Sequence, residues 1–158
     1  MVIRPATADD VPAVLPLVRQ LCDLHQQHDP ERFKVRPDVI ERYAQWLPQR
    51  ASDPRSVFLV AELDEAPGVV VGFAVCTIEP EVPIFWIPEA GWLHDIFVEP
   101  RARRHGVARA LVRKVCERFQ ALGVKQVRLH TGVFNDAARA VFAAEGFRPC
   151  VVEMLKAL

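Results

Sequence analysis

Val11, Val14, Leu15, Val18, Leu21 and Cys22 recur at intervals of three and four residues, a spacing that lines apolar side chains along one face of a helix. Thr7, with Asp10 three positions on, forms a loose capping box ahead of that helix. Val2 to Arg4 reads as a short strand before it. Pro12 suits a first helical turn, whereas Pro16 predicts a kink or a later start. The polar stretch HQQHDPERFKVRPD is a loop, and Val39 to Leu47 forms a second, short helix. Ser56 to Leu63 and Val69 to Ile78 are rich in β-branched and aromatic residues, and DEAPG between them predicts a hairpin. A proline-rich connection, EPEVPIFWIPEAG, leads to a strand from Trp92 to Val98.

The cleanest helical period follows Gly106, with Val107, Ala108, Leu111, Val112, Val115, Cys116 and Phe119 on one face and Gly123 as C-cap. Val127 to Leu129 is a strand. Asn135 caps a helix from Asp136 to about Glu145, Gly146 closes it, and Phe147 to Met154 is expected to be a last strand. Strands that precede, separate and follow the helices predict a single α/β or α+β domain, residues 1–158, with a mixed sheet.

Composition narrows the class. With 158 residues, 51% of them hydrophobic, the chain can bury the core of one domain. No apolar run approaches the ~18 residues of a membrane helix. The first residues lack the apolar core of a signal peptide, so a cytoplasmic protein that does not engage membranes is expected. Cys22, Cys76, Cys116 and Cys150 are far apart in apolar company, which predicts buried free thiols and no metal site. The formal net charge of zero hides an asymmetry. Residues 1–90 hold 8 Lys/Arg against 14 Asp/Glu, a net of −6, and residues 91–158 hold 12 against 6, a net of +6. Chance surface composition is one account. An enzyme that holds an anionic and a cationic ligand side by side is the other. The neutral total, with no stacking aromatics near the arginines, argues against a nucleic-acid partner.

DIFVEPRARRHGVARAL, residues 95–111, crowds positive charge between a strand and a helix. A helix N-terminus leaves backbone N–H groups unpaired and carries roughly half a positive charge. After a strand it is a ready anion site. Gly106 removes a side chain where a phosphate must approach the backbone, Ala108 keeps the next turn nearly bare, and the arginines add donors. Phosphate or pyrophosphate is the ligand this turn suits, against the alternative of a solvated basic loop. The nucleoside-triphosphate loop pattern is absent, and the dinucleotide fingerprint needs more glycines than Gly106 alone.

Arg103-x-x-Gly106-x-Ala108 resembles the acetyl-CoA signature Q/R-x-x-G-x-G/A of the GCN5-related N-acetyltransferases (GNAT). WLHDIFVEP is similar to that family's fourth strand, NDAARAVFAAEGFR to its N-x-x-A-x-x-x-Y-x-x-x-GF segment, and IRPATADD to its usual start. The resemblance implies a mostly antiparallel mixed sheet of six to seven strands, flanked by about four helices and splayed at the fourth and fifth strands. It implies acetyl-CoA as co-substrate, with Ile96, Phe97 and Val98 along the pantetheine arm. Arg103, Arg104, His105, Gly106, Val107, Ala108 and Arg109 would hold the pyrophosphate. Asn135, Ala138 and Phe142 would complete the coenzyme contacts, although capping alone also explains Asn135. Dimers are common in the family, so a homodimer is compatible with the resemblance.

Acetyl transfer to an amine requires a base, a polarised carbonyl and a proton for the leaving thiolate. Strand alternation puts Trp92, His94, Ile96 and Val98 on one face and Leu93, Asp95 and Phe97 on the other. His94 stands where some family members carry a glutamate or histidine base, and the stretch resembles that of the polyamine acetyltransferases with His94 replacing an acid. Histidine's reference pKa of about 6.5 suits the task. The competing account is a half-buried histidine bonded to a backbone carbonyl. Asp95, on the other face, is expected to be an orienting or structural carboxylate rather than the base. Many family members protonate the thiolate with a tyrosine at the position of Phe142, which has no proton to offer. The chain's single tyrosine, Tyr43, lies in the second helix. Trp86 could wall an acceptor channel or anchor its loop, and His130 and Thr131 could border the site or serve structure. Asp29 and Glu31 would attract a cationic amine. The function expected is acetyl transfer to a primary amine of a small or polyamine-like molecule, with a protein amine as an open acceptor. A non-catalytic acyl-CoA sensor on the same fold, favoured by Phe142, is the alternative.

Overall fold

The computed structural model describes residues 1–158. Its elements run β1 (Val2–Pro5), α1 (Val11–His28), α2 (Val39–Ser52), β2 (Val57–Glu62), β3 (Val70–Pro80), β4 (Glu89–Val98), α3 (Val107–Ala121), β5 (Val127–Leu129) and α4 (Asp136–Ala144), with short 3-10 turns before α1 and after β4. The five strands lie in the order β1-β2-β3-β4-β5. All neighbours are antiparallel except β4 and β5, which are parallel.

β2 is buried at every position, because helices cover both faces of the sheet. Phe58, Phe73, Val75 and Phe97 pack against Val14, Val18 and Leu47 of α1 and α2. Leu59, Ala74, Leu93 and Val98 pack on the opposite face against Leu111, Val115 and Phe119 of α3. The sheet is therefore the middle layer of three. Gly91 lets α3 close onto β4: a Cβ there would lie 2.6 Å from the Phe119 ring.

Three elements differ from the sequence expectation. α1 starts at Val11 and runs through Pro16, whose missing N–H costs one backbone bond while Val14, Leu17, Val18 and Leu21 are buried around it. α2 continues past Leu47 and Pro48 to Ser52, whose hydroxyl bonds the Pro48 carbonyl. The expected last strand, Phe147 to Met154, is not a strand, and the sheet has five strands rather than six or seven. β-branched residues favour an extended backbone, but a strand exists only where an edge pairs with it. β5 pairs with β4 alone, Pro149 removes a donor from the segment, and Val151, Val152 and Met154 are exposed. No helix is long and apolar enough to cross a membrane.

Candidate active site

β4 loses one neighbour halfway along its length. β5 pairs with Gly91, Trp92 and Leu93 only, whereas β3 follows β4 as far as Val98. From His94 to Val98 the edge away from β3 has no strand partner, which opens a wedge between β4 and β5.

The register shifts at the mouth of this wedge. Cys76 faces Leu93 and Val75 faces Asp95, so His94 is an extra residue in β4. A bulge of this kind breaks the two-residue alternation and re-aims the side chains beside it. Leu93, Ile96 and Val98 therefore turn to the α3 face, and Phe97 to the α1–α2 face. His94 and Asp95 both reach the α1–α2 side. This corrects the alternation expected from the sequence, which separated His94 from Asp95 and grouped it with Ile96 and Val98.

His94 Nε2 lies 2.5 Å from the Thr77 hydroxyl oxygen, and its ring meets Trp46 of α2 edge-on at 5.9 Å. Asp95 Oδ2 accepts a hydrogen bond from the Tyr43 hydroxyl at 2.7 Å. Burial pushes the Asp95 carboxyl above the usual carboxylate range, while the Tyr43 bond and nearby His94 and His25 pull it back. The Tyr43 phenol is raised by burial first and then by the Asp95 charge. His25 of α1 is lowered, chiefly by burial. The sequence pattern missed Tyr43, Trp46, Thr77 and His25 as neighbours of the site, because they come from other elements. Their aromatic or polar character inside apolar stretches was the only available signal.

The buried Asp95 carboxyl makes stability depend on pH. A carboxyl whose folded pKa is raised holds its proton more tightly in the native state, so stability falls as pH rises from the ordinary value of 3.8 through the raised one. Above that window the full cost of burying the charge is present. Asp95→Asn keeps an acceptor for Tyr43 and removes the charge. Its melting temperature at neutral pH is expected to exceed the parent's, and the gap to close as both are acidified below about pH 4. Melting curves across pH check this; a variant less stable at neutral pH would contradict it.

The basic turn lies past the far end of the wedge. Arg104 has φ 64 and Gly106 φ 78, two left-handed residues on either side of His105. No backbone or side-chain acceptor in the protein takes the N–H groups of residues 104 to 109, which include Arg104, His105, Gly106, Val107, Ala108 and Arg109. Left-handed residues among unpaired amides form a concave, anion-binding nest at the positive end of α3. The arginines differ in their commitments. Arg103 Nε donates to the Val98 carbonyl at 3.1 Å and its guanidinium lies over the Phe97 ring. Arg101 pairs with Glu99, and Arg109 with Glu145. Arg104 alone among them makes no hydrogen bond or ion pair with the protein. The sequence treated the arginines as one cluster; the acidic partners come from distant positions.

Asn135 caps α4 by accepting from the Ala138 amide at 3.1 Å. Phe142 is 7% exposed and packs in the α3-side core against Phe147, so its packing role is plain. His130 meets Trp92 edge-on at 5.1 Å, beside the last paired residues of β4. Thr131 follows it and lies outside the strands. Trp86 is fully exposed in the β3–β4 connection and walls nothing in this chain. Asp29 accepts from the Arg32 amide, and Glu31 is exposed in the same loop.

The model of the acetyltransferase (GNAT) family matches residues 18–147. An uncharacterized N-acetyltransferase of Archaeoglobus fulgidus is 30% identical over 148 residues, covering 94% of this chain and 93% of that one. The thialysine N-epsilon-acetyltransferase of Bos taurus is 26% identical over 151 residues, covering 92% and 83%. An uncharacterized N-acetyltransferase of Methanocaldococcus jannaschii is 33% identical over 110 residues, which are 66% of this chain and span 43% of that longer protein. Among solved structures, a tetramutant of a Bacillus halodurans protein superposes with a TM-score of 0.84 at 20% identity, covering all of both chains, a likeness of fold.

Proposed function

Because the chain belongs to the acetyltransferase (GNAT) family of N-acetyltransferases, we propose that it moves the acetyl group of acetyl-CoA to the primary amine of a small molecule. The observation that carries this reading is the juxtaposition along β4. A strand edge free from His94 to Val98 runs from a His–Asp pair to a nest of unpaired amides at the head of α3. Acetyl-CoA, when bound, supplies an acetyl thioester open to attack by an amine. The donors present suit its other parts. The amides of residues 104 to 109 and the uncommitted Arg104 would bind the pyrophosphate oxygens. The free edge at Ile96, Phe97 and Val98 would pair with the pantetheine amides, and Ala138 and Phe142 would line the arm. His94 would take the proton of the incoming amine, and ionised Asp95 beside it would favour the imidazolium. Phe142 holds no proton for the departing thiolate, so solvent serves in its place.

A small acceptor is supported by the bovine relative, whose name gives thialysine as its substrate. Acidic Glu79 and Asp95 near His94 suit a cation. The second reading, an acyl-CoA-binding sensor without turnover, is favoured by Phe142 alone. Incubation with acetyl-CoA and a panel of amines, following release of free coenzyme A thiol, separates the two. Amine-dependent release is expected; binding with no release for any amine would support the sensor.

A further inference from the structure

Thr77 lies between two groups that compete for its single proton. Its hydroxyl oxygen is 2.5 Å from Glu79 Oε1 and 2.5 Å from His94 Nε2. The Glu79 carboxylate lies 3.8 Å from the same imidazole nitrogen. An ionised carboxylate can only accept, so the Thr77 O–H must donate to Glu79. The oxygen then has only lone pairs to offer His94, and the bond exists only if Nε2 carries a hydrogen. Nδ1 makes no hydrogen bond with the protein. The geometry points to Thr77 and Glu79 as positioning residues that hold His94 in the Nε2–H tautomer and leave Nδ1 as the atom that accepts the amine proton.

The arrangement has the logic of a carboxylate that orients a catalytic imidazole, with a hydroxyl interposed. As Nδ1 takes the amine's proton, the imidazolium keeps its Nε2–H on Thr77, and Glu79 stabilises the new charge through that hydroxyl. No proton needs to leave Nε2. The local fold supports a fixed geometry. Thr77 is 6% exposed on β3 and pairs with Trp92, two residues before His94, so Thr77 and His94 share a face. Trp46 of α2 contacts the ring from the helix layer. The other titratable groups facing this corner are Asp95 on β4, Tyr43 on α2 and His25 on α1. None of them is hydrogen-bonded to His94, so the tautomer rests on Thr77.

The inference deepens the proposed acetyl transfer, but its first test does not depend on that reading. Long-range nitrogen–proton spectra of the protein labelled with ¹⁵N-histidine report the His94 tautomer directly. The Nε2–H form is expected in the parent and in Thr77→Ser, and a mixture of tautomers in Thr77→Val. In Glu79→Gln the amide oxygen can still accept from the Thr77 hydroxyl, so the Nε2–H form is expected to persist there too. An Nδ1–H tautomer in the parent, or an unchanged Nε2–H population in Thr77→Val, overturns the inference. With thialysine as acceptor, Glu79→Gln should lower kcat by roughly 10-fold with KM for acetyl-CoA unchanged. The same change should add nothing in a His94→Gln background. A rise only in the amine KM would make Glu79 an acceptor anchor and overturn the positioning role. Loss of the tautomer in Thr77→Val with full turnover in His94→Gln would instead leave the positioning intact and remove His94 as the base.

Discussion

His94→Gln is expected to lower turnover by roughly 10²-fold, the low end of what a positioned general base contributes, and to leave acetyl-CoA affinity unchanged. Glutamine keeps a side-chain N–H that can donate to Thr77, so the bulge and the Trp46 contact should survive the substitution. What it removes is a ring nitrogen able to take and release a proton. The amides proposed for the pyrophosphate lie beyond Val98, past the unpaired edge, which is why binding of acetyl-CoA should be spared. The parent's kcat should also rise with pH through an inflection that the variant lacks. Steady-state kinetics across pH, with calorimetry for acetyl-CoA, check both parts. A variant with full turnover and the parent's pH profile would make His94 structural and pass the proton step to water.

Gly106→Val is expected to weaken acetyl-CoA binding by well over ~10-fold, a loss above about 1.4 kcal/mol. Two causes act together. Gly106 sits at φ +78, a conformation that a β-branched residue adopts only under strain, and a side chain would project where the nest must meet an anion. A Cβ at this position meets no protein atom within 4 Å, so the protein itself does not crowd the site. Gly106→Ala therefore separates the causes. It should cost stability on the order of 1–2 kcal/mol from the left-handed backbone, with a further, separate loss of affinity. Calorimetry on folded variants decides the matter, and unchanged affinity in both would end the pyrophosphate assignment.

The helices and the basic turn were legible in the sequence because their signals are local. The period from Val107 to Phe119 lies within one helix, and the glycine and arginines of the turn are neighbours in the chain, so the amide nest at the head of α3 follows from sequence spacing and elementary helix physics. The β2–β3 hairpin was legible for the same reason. The bulge at His94 was not. It is a property of the pairing between β3 and β4, and a one-residue slip moves side chains between faces without leaving a mark in β4's own sequence. The sequence thus named His94 and Asp95, but only the tertiary structure put them on one face. The Tyr43–Asp95 bond joins residues 52 positions apart, and the pairing of Arg109 with Glu145 spans 36, distances over which no periodicity speaks. The segment after Phe147 shows the converse. Its residues favour a strand locally, yet a strand is a contract between two edges, and β5 pairs with β4 alone. Composition and spacing determined which residue types were available for chemistry; pairing register and helix packing decided which of them meet.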